Sequence, residues 1–449
     1  MTFPETIDYL LSFADFERSG RFQDRPDVAP MLSLLQRLGD PHLGRLTVHV
    51  AGSKGKGSVA AMVESVLRAA GLDTGLYTSP HLHSYCERVR LNGEPIGEGD
   101  FARLASSLQP AVEAERRALR ERQLVTFDLL TALAFLAFRE RRVQVQVLEV
   151  GLGGRVDSTN VFQEKEVCAI TPISLEHTAI LGDTVNKIAQ EKAAIIRPGS
   201  TVVLAPQAHE AVAHVVRRAA ADAGSPLIEV SRHYRWQYVS HDLRGQDFYL
   251  WGDRGALRIR LTLLGEHQME NAATAIACVD DLRERGCAIT QEAVVRGLAG
   301  VSWPGRAEVL CESPLVIADG AHNRDSARRF RQALAKYFSC RRAFLIIGVS
   351  ADKDVNGLAE ELAPVAAEVV ATQAWHPRAM APEKIVAAFA ELGVETGVAK
   401  TVGEALERAM AVAGSQGVIC LVGSLFLVAE GREHLLTVAG QRPRLASRR

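Results

Sequence analysis

The sequence predicts an α/β protein: a large, mostly parallel sheet domain carrying a small antiparallel appendage, followed by a smaller C-terminal α/β domain. Three observations lead there. Short, continuously apolar strand candidates alternate with helical periods along most of the chain, the pattern of parallel strands covered on both faces. From Tyr234 to Leu264 the texture changes to alternating aromatic and polar residues between polar turns, as in an antiparallel sheet. The βα pattern then resets after Gly300-Val301-Ser302-Trp303-Pro304, whose glycine and proline mark a boundary, giving domains of residues 1–300 and 301–449.

Taken in order, residues 46–51 read as a strand that runs through a glycine-rich turn into a helix over 58–70, stopped by Gly71, with a second strand at 74–77. Helix 129–140 precedes strand 143–150, strand 167–171 precedes helix 185–195, and strand 201–204 precedes helix 209–221. In the appendage, turns at 243–247 and 252–255 separate the strands, and helices at 268–285 and 291–298 follow. Beyond the boundary, strands near 315–317, 343–347, 369–372 and 418–422 build a Rossmann-like unit.

Composition excludes several classes of function. The 449 residues are 47% hydrophobic and 23% charged, enough for ordinary cores at roughly 100–200 residues per domain. Lys and Arg number 52 against 53 Asp and Glu, so there is no electrostatic footprint for nucleic acid or an anionic membrane. The most apolar stretch, 129–138, is far short of the ~20 residues of a spanning helix, and the N-terminus lacks the basic segment and apolar run of a secretory signal. Seven scattered cysteines with no C-x-x-C pair argue against structural zinc or a disulfide framework and for a reducing cytoplasm.

The chemistry begins at Gly52-Ser53-Lys54-Gly55-Lys56-Gly57-Ser58, between a predicted strand and helix, which makes the first domain P-loop-type. There, backbone N–H groups hold phosphate oxygens, Lys56 supplies a charge for the β/γ-phosphates, and the Ser58 hydroxyl reaches Mg²⁺. The plainer reading is a glycine-rich turn with a solvated lysine. Ser79 follows a strand, Glu149 ends another, and His177 lies in the loop after a third, so all three converge at the carboxyl edge of a parallel sheet, the usual ligand edge. Oxygen ligands suit Mg²⁺, with imidazole a minority partner. Singly, Ser79 reads equally as a turn cap, His177 as a satisfied loop histidine and Glu149 as a surface carboxylate. However, Glu149 sits between VQVQVL and VGLGG, where an unpaired charge is costly.

This loop is followed, in order, by LYTSPHLHSYCERVRLNGEPI (76–96), LEVGLGGRVDSTNVF (148–162), ITPISLEHTAILGDTVNKIAQEKAAII (170–196), GEHQMENA (265–272), WPGRAEV (303–309), IADGAHN (317–323) and GVSADKD (348–354). The series resembles the folylpolyglutamate synthase/dihydrofolate synthase family of Mur-ligase-like ATP-dependent amide ligases, over nearly the whole chain from about residue 30. The resemblance implies ATP and Mg²⁺ as cofactors, a pteroate or folate and L-glutamate as substrates, and amide formation through an acyl phosphate. It carries Ser58, Ser79, Glu149 and His177 over as metal-binding positions. Gly52, Gly55, Lys56, Gly57, Ser58, Asn271, Arg306 and Asp319 carry over as nucleotide-binding positions, with Asp319 on the ribose. The catalytic set is Lys56, His177, Lys192 and His322, the last near the phosphates or the glutamate. Lys192 matches the lysine of the EKAGI motif that is carbamylated in this family, with Ala194 in place of glycine; a carbamate needs a neutral amine and hence a depressed pKa. Val125, Thr126, Phe127, Asp128, Val156, Asp157 and Ser158 match positions that contact the pteroate, and Lys353, Asp354 and Ser424 also match family patterns.

The chain departs from the pattern at Lys54 (usually asparagine), Glu176 (usually aspartate) and Asp128 (commonly glutamate), and RFQDRPDVAP (21–30), which faces the pterin, matches poorly. The resulting expectation is a cytoplasmic monomer without nucleic-acid or membrane partners. Its rivals are a Mur-like ligase acting on another carboxylate and a non-catalytic nucleotide-binding regulatory module. The second predicts loss of Lys56, His177 or Lys192, and all three are present.

Overall fold

The computed structural model describes residues 1–19, 27–118 and 123–438; residues 21–26 of the poorly matching segment lie outside the described residues. The strands are β1 Leu46–Ala51, β2 Thr74–Tyr77, β3 Val89–Leu91, β4 Glu94–Pro95, β5 Val145–Glu149, β6 Val167–Ile170, β7 Thr201–Leu204 and β8 Leu227–Glu229. They form one sheet in the order β4-β3-β2-β5-β1-β6-β7-β8, parallel except for the β2-β3-β4 edge. β1 lies between β5 and β6, with Val50 opposite Glu149 and Ala51 opposite Ile170. That register sets the ends of three strands, and the loops leaving them, side by side.

Both faces of this sheet are covered, as its unbroken apolar strands require. On one face the helices Lys56–Ala69, Glu266–Glu284 and Gln291–Ala299 share a core with Val48, Val147 and Val167. The antiparallel sheet of β9 Arg235–Asp242, β10 Gly245–Gly252 and β11 Gly255–Leu261 joins that core through Phe248, Leu250, Ile259 and Leu261. On the other face, helices Phe3–Leu11, Ala29–Arg37, Glu98–Ala118 and Thr126–Glu140 cover one end, and Val185–Ala193 with Glu210–Asp222 the other.

The third sheet comprises β12 Glu308–Glu312, β13 Leu315–Asp319, β14 Ala343–Ile347, β15 Ala366–Ala371, β16 Thr396–Val398 and β17 Val418–Val422. Its order is β12-β13-β17-β14-β15-β16, parallel apart from β12, with a core on each face. β3, β4, β8, β12 and β16 extend the sheets at their margins, beyond the strands expected from sequence. The turn expected at 243–247 is tighter, since β10 begins at Gly245. Among the described residues no helix is long and apolar enough to cross a membrane.

Candidate active site

The loop leaving β1 is clamped to the segment leaving β6. Ser53 and Lys54 N–H groups both donate to the Pro172 carbonyl at 3.0 Å, and Ser53 Oγ donates to the Ser174 carbonyl at 3.0 Å. Gly55 turns the chain into helix Lys56–Ala69 at φ +86°, and a Cβ there would lie 2.5 Å from Asn271 Oδ1. The site thus requires glycine for both conformation and space. No side chain caps this helix, so its N-terminal N–H groups and the positive end of its dipole remain open to an anion. Gly55, Lys56, Gly57 and Ser58 line the cavity here. Gly52 lies outside the cavity lining and acts from behind: its carbonyl accepts from Lys192 Nζ at 2.7 Å and Lys56 Nζ at 3.1 Å.

Lys192 is fully buried near the end of helix Val185–Ala193, and its Nζ also donates to Glu176 Oε1 at 3.0 Å. Glu176 Oε2 stands 3.6 Å from Lys54 Nζ, so one carboxylate joins the two lysines. Burial pulls Lys192 down to about 8, against the pull of Glu176. Burial favours the neutral form of Glu176 too, but Lys192, Lys54 and Lys56 outweigh it and hold the carboxyl far below its ordinary range. Three lysines around one carboxylate leave a surplus of positive charge suited to a polyphosphate. The departures Lys54 and Glu176 are therefore partners.

Ser58, Ser79, Glu149 and His177 all line this cavity. Glu149 Oε2 accepts the Ser79 N–H at 3.2 Å, and burial raises its pKa while Lys56 opposes the shift. His177 sits at φ +47°, a left-handed turn uncommon for a side-chain-bearing residue, and burial lowers its imidazole to about 4. Among the described residues no three His, Cys, Asp or Glu side chains form a metal cage. One carboxylate, one imidazole and two hydroxyls instead make a sparse, oxygen-rich set. That fits Mg²⁺, which binds few protein ligands and completes its shell with water and phosphate.

The opposite wall comes from the third sheet. Asp319 ends β13 and accepts N–H groups of Ala307 and Ala321, each at 2.8 Å. Arg306 joins it in the cavity, as does Asn271, whose Nδ2 donates to Gln268 Oε1 at 2.9 Å. His322 donates its Nδ1–H to the Gly320 carbonyl at 2.8 Å, leaving Nε2 as an acceptor. Burial, then Lys54 and Lys353, lower its pKa to about 3. Asn323 caps helix Arg324–Tyr337, so the DGAHN turn caps a helix and also supplies site residues.

A second cavity adjoins the first, and Ser79, Pro80, Gly151, Leu152, His177, His322 and Leu425 line both. Of the seven residues expected at a pteroate, Val125, Thr126, Phe127, Val156, Asp157 and Ser158 line the second cavity. Asp128 does not reach it: fully buried, it accepts the Ser158 hydroxyl at 2.6 Å and the Val125 N–H at 2.9 Å, supporting two residues that do. Lys353, Arg378, Ser424 and Phe426 enter from the third sheet's side. Sequence reasoning missed Arg378, Phe426 and the ion pair of buried Arg88 with partly exposed Glu17 at the rim, since isolated residues far apart in sequence carry no spacing signal.

Residues 50–279 match the model of the Mur ligase middle domain and residues 305–425 that of the Mur ligase glutamate ligase domain. A probable bifunctional folylpolyglutamate synthase/dihydropteroate synthase of Haloferax volcanii is 37% identical over 441 residues, covering 96% of this chain and 50% of that protein. This chain thus spans about half the length of that curated relative and of a similarly named one from Halobacterium salinarum. A dihydrofolate synthase/folylpolyglutamate synthase of Bacillus subtilis is 32% identical over 421 residues, covering 92% of this chain and 96% of that protein. The structure of Mycobacterium tuberculosis folylpolyglutamate synthase complexed with ADP superposes with a TM-score of 0.88 at 32% identity, covering 98% of this chain and all of that one. With the glycine-rich loop at a helix N-terminus, the oxygen-rich side chains and the adjoining cavity on one sheet edge, these likenesses place the chain in the folylpolyglutamate synthase/dihydrofolate synthase family of Mur-type ligases.

Proposed function

We propose that this protein is an ATP- and Mg²⁺-dependent ligase that joins L-glutamate to the carboxylate of a dihydropteroate or folate. The observation that carries this reading is the common wall between the two cavities. A nucleotide in the first and an acceptor carboxylate in the second would meet beside His177, His322 and Ser79. A carboxylate does not react with an amine at neutral pH, so the γ-phosphoryl group passes to it first, and the glutamate amine then displaces phosphate from the acyl phosphate. In this scheme Lys56 and the helix N-terminus hold phosphate charge, and Asn271, Arg306 and Asp319 hold the nucleotide. Ser58, Ser79, Glu149 and His177 would hold Mg²⁺, which neutralises phosphate charge. Lys192 supports this set, as an ammonium or after carbamylation. Lys353 and Arg378 are the cations for the carboxylates of the incoming glutamate, and His322, with Nε2 free to accept, lies where the amine must lose a proton.

In this reading residues 1–300 and 301–449 act as two domains around the nucleotide, in a cytoplasmic monomer. The test is ATP-dependent phosphate release measured with dihydropteroate, with folates and with cell-wall precursors, each with glutamate and with other amino acids. Release and amide formation that require glutamate together with a pteroate or folate are expected. Preference for a cell-wall precursor would transfer the site to another Mur-type reaction, and nucleotide binding without turnover would make it a regulatory module.

A further inference from the structure

Beneath the acceptor cavity runs a buried polar chain that the reaction scheme leaves unused. Lys165 is 4% exposed, and among the described residues it has no carboxylate partner. Its Nζ lies 2.7 Å from His49 Nδ1, inside β1; His49 Nε2 lies 2.8 Å from Thr159 Oγ1, and the Thr159 hydroxyl donates to Asp157 Oδ1. His49 and Thr159 are wholly buried, and Asp157, 6% exposed, lines the cavity.

The donors leave one arrangement for a protonated lysine. An ammonium has no acceptor, so His49 Nδ1 must accept, and the neutral ring then carries its proton on Nε2. That N–H donates to Thr159 Oγ1, which forces the threonine O–H toward Asp157. Asp157 is also held by the N–H groups of Leu152 on Oδ2 and Thr159 on Oδ1, both at 3.0 Å. With Lys165 protonated and Asp157 ionised, a buried cation is linked to a buried anion through two neutral side chains, each donor pointing toward Asp157.

We propose that Lys165, His49 and Thr159 are positioning residues that hold Asp157 ionised and fixed in orientation, so that it accepts hydrogen bonds from N–H donors on the heterocyclic end of the acceptor. This rests on the reading of the second cavity as the acceptor site. A buried lysine is poor value for stability alone, since apolar replacements of buried charges are often neutral or stabilising. Its effect should therefore appear in acceptor binding.

Two measurements test it. Long-range ¹⁵N-correlated NMR of the histidines, with the His49 signals assigned from His49→Gln, should show the Nε2–H tautomer in the wild-type protein; an Nδ1–H tautomer overturns the relay. Steady-state kinetics with dihydropteroate should show KM for that acceptor raised roughly tenfold in Thr159→Val and in Lys165→Met, the loss of about one hydrogen bond to a charged group. In both variants kcat and KM for ATP should stay within about twofold, and Thr159→Ser should restore the wild-type KM. A Thr159→Ser defect equal to that of Thr159→Val, or a fall in kcat with the acceptor KM unmoved, would reduce the chain to a structural role and overturn the proposal. If the wild-type protein turns over no pteroate or folate, the functional reading falls, and the tautomer alone decides the relay.

Discussion

Gly55→Ala perturbs the phosphate cradle at one atom, and its cost follows from two features of the structure. At φ +86° a Cβ costs about 1–2 kcal/mol. The added methyl would also lie 2.5 Å from Asn271 Oδ1, closer than nonbonded atoms tolerate. Asn271 is 4% exposed and tied to Gln268 at 2.9 Å, so it moves only by giving up that hydrogen bond, worth about 1 kcal/mol. Gly55→Ala should therefore lose about 2–3 kcal/mol of stability in total, and ADP affinity should fall at least roughly tenfold because cradle and Asn271 are displaced together. Thermal unfolding and calorimetric titration with ADP read the two effects. Truncating the clash partner separates them: added to Asn271→Ala, the Gly55→Ala change should cost only the backbone share, a coupling of about 1 kcal/mol in the double-mutant cycle. Strict additivity in that cycle, or undiminished ADP binding by Gly55→Ala, would refute the steric reasoning.

Lys56→Ala should abolish phosphate release while shifting stability by no more than about 1 kcal/mol, because among the described residues its Nζ makes one hydrogen bond, to the Gly52 carbonyl, and otherwise acts on Glu176 and Glu149 through charge alone; a melt and a turnover assay check both. Glu176→Gln leaves the buried Lys192 and the partly buried Lys54 without their carboxylate, so stability should fall by about 3–5 kcal/mol and Lys192 should titrate still lower than about 8. Thermal melts and the pH dependence of lysine modification measure the two changes. His322 and His177, held by burial at about 3 and about 4, bind fewer protons folded than unfolded below the ordinary value of 6.5. Their contribution to stability is therefore whole above pH 6.5 and lost progressively as pH falls through about 4 for His177 and about 3 for His322. Urea midpoints measured from pH 7 to pH 5 should decline, and His322→Gln should flatten the decline; an equal slope in that variant would contradict the assignment.

The sequence made the cradle legible because its chemistry is local: glycines, a lysine and a serine lie within seven positions between a strand and a helix. The convergence of Ser79, Glu149 and His177 was legible only as a shared sheet edge. What makes them neighbours of the cradle is the strand order β2-β5-β1-β6, and strand order leaves no mark in local periodicity. Asp128 shows the opposite failure: it falls in the expected segment but turns inward, because the first turn of helix Thr126–Glu140 directs its carboxylate to Val125 and Ser158. The Lys54–Glu176 pair appeared in sequence as two separate departures, and only the folded loops bring them to 3.6 Å. Lys165 and His49, 116 positions apart, gave no signal at all, since a buried lysine reads in sequence as a solvated one.

The central claim is that the two cavities exchange a phosphoryl group across their common wall. If an acceptor carboxylate oxygen attacks the γ-phosphorus, that oxygen must leave with the phosphate. Dihydropteroate or folate labelled with ¹⁸O in the reacting carboxyl group, incubated with ATP, Mg²⁺ and glutamate, should therefore yield labelled inorganic phosphate in step with new amide. Amide accompanied by unlabelled phosphate would contradict the account.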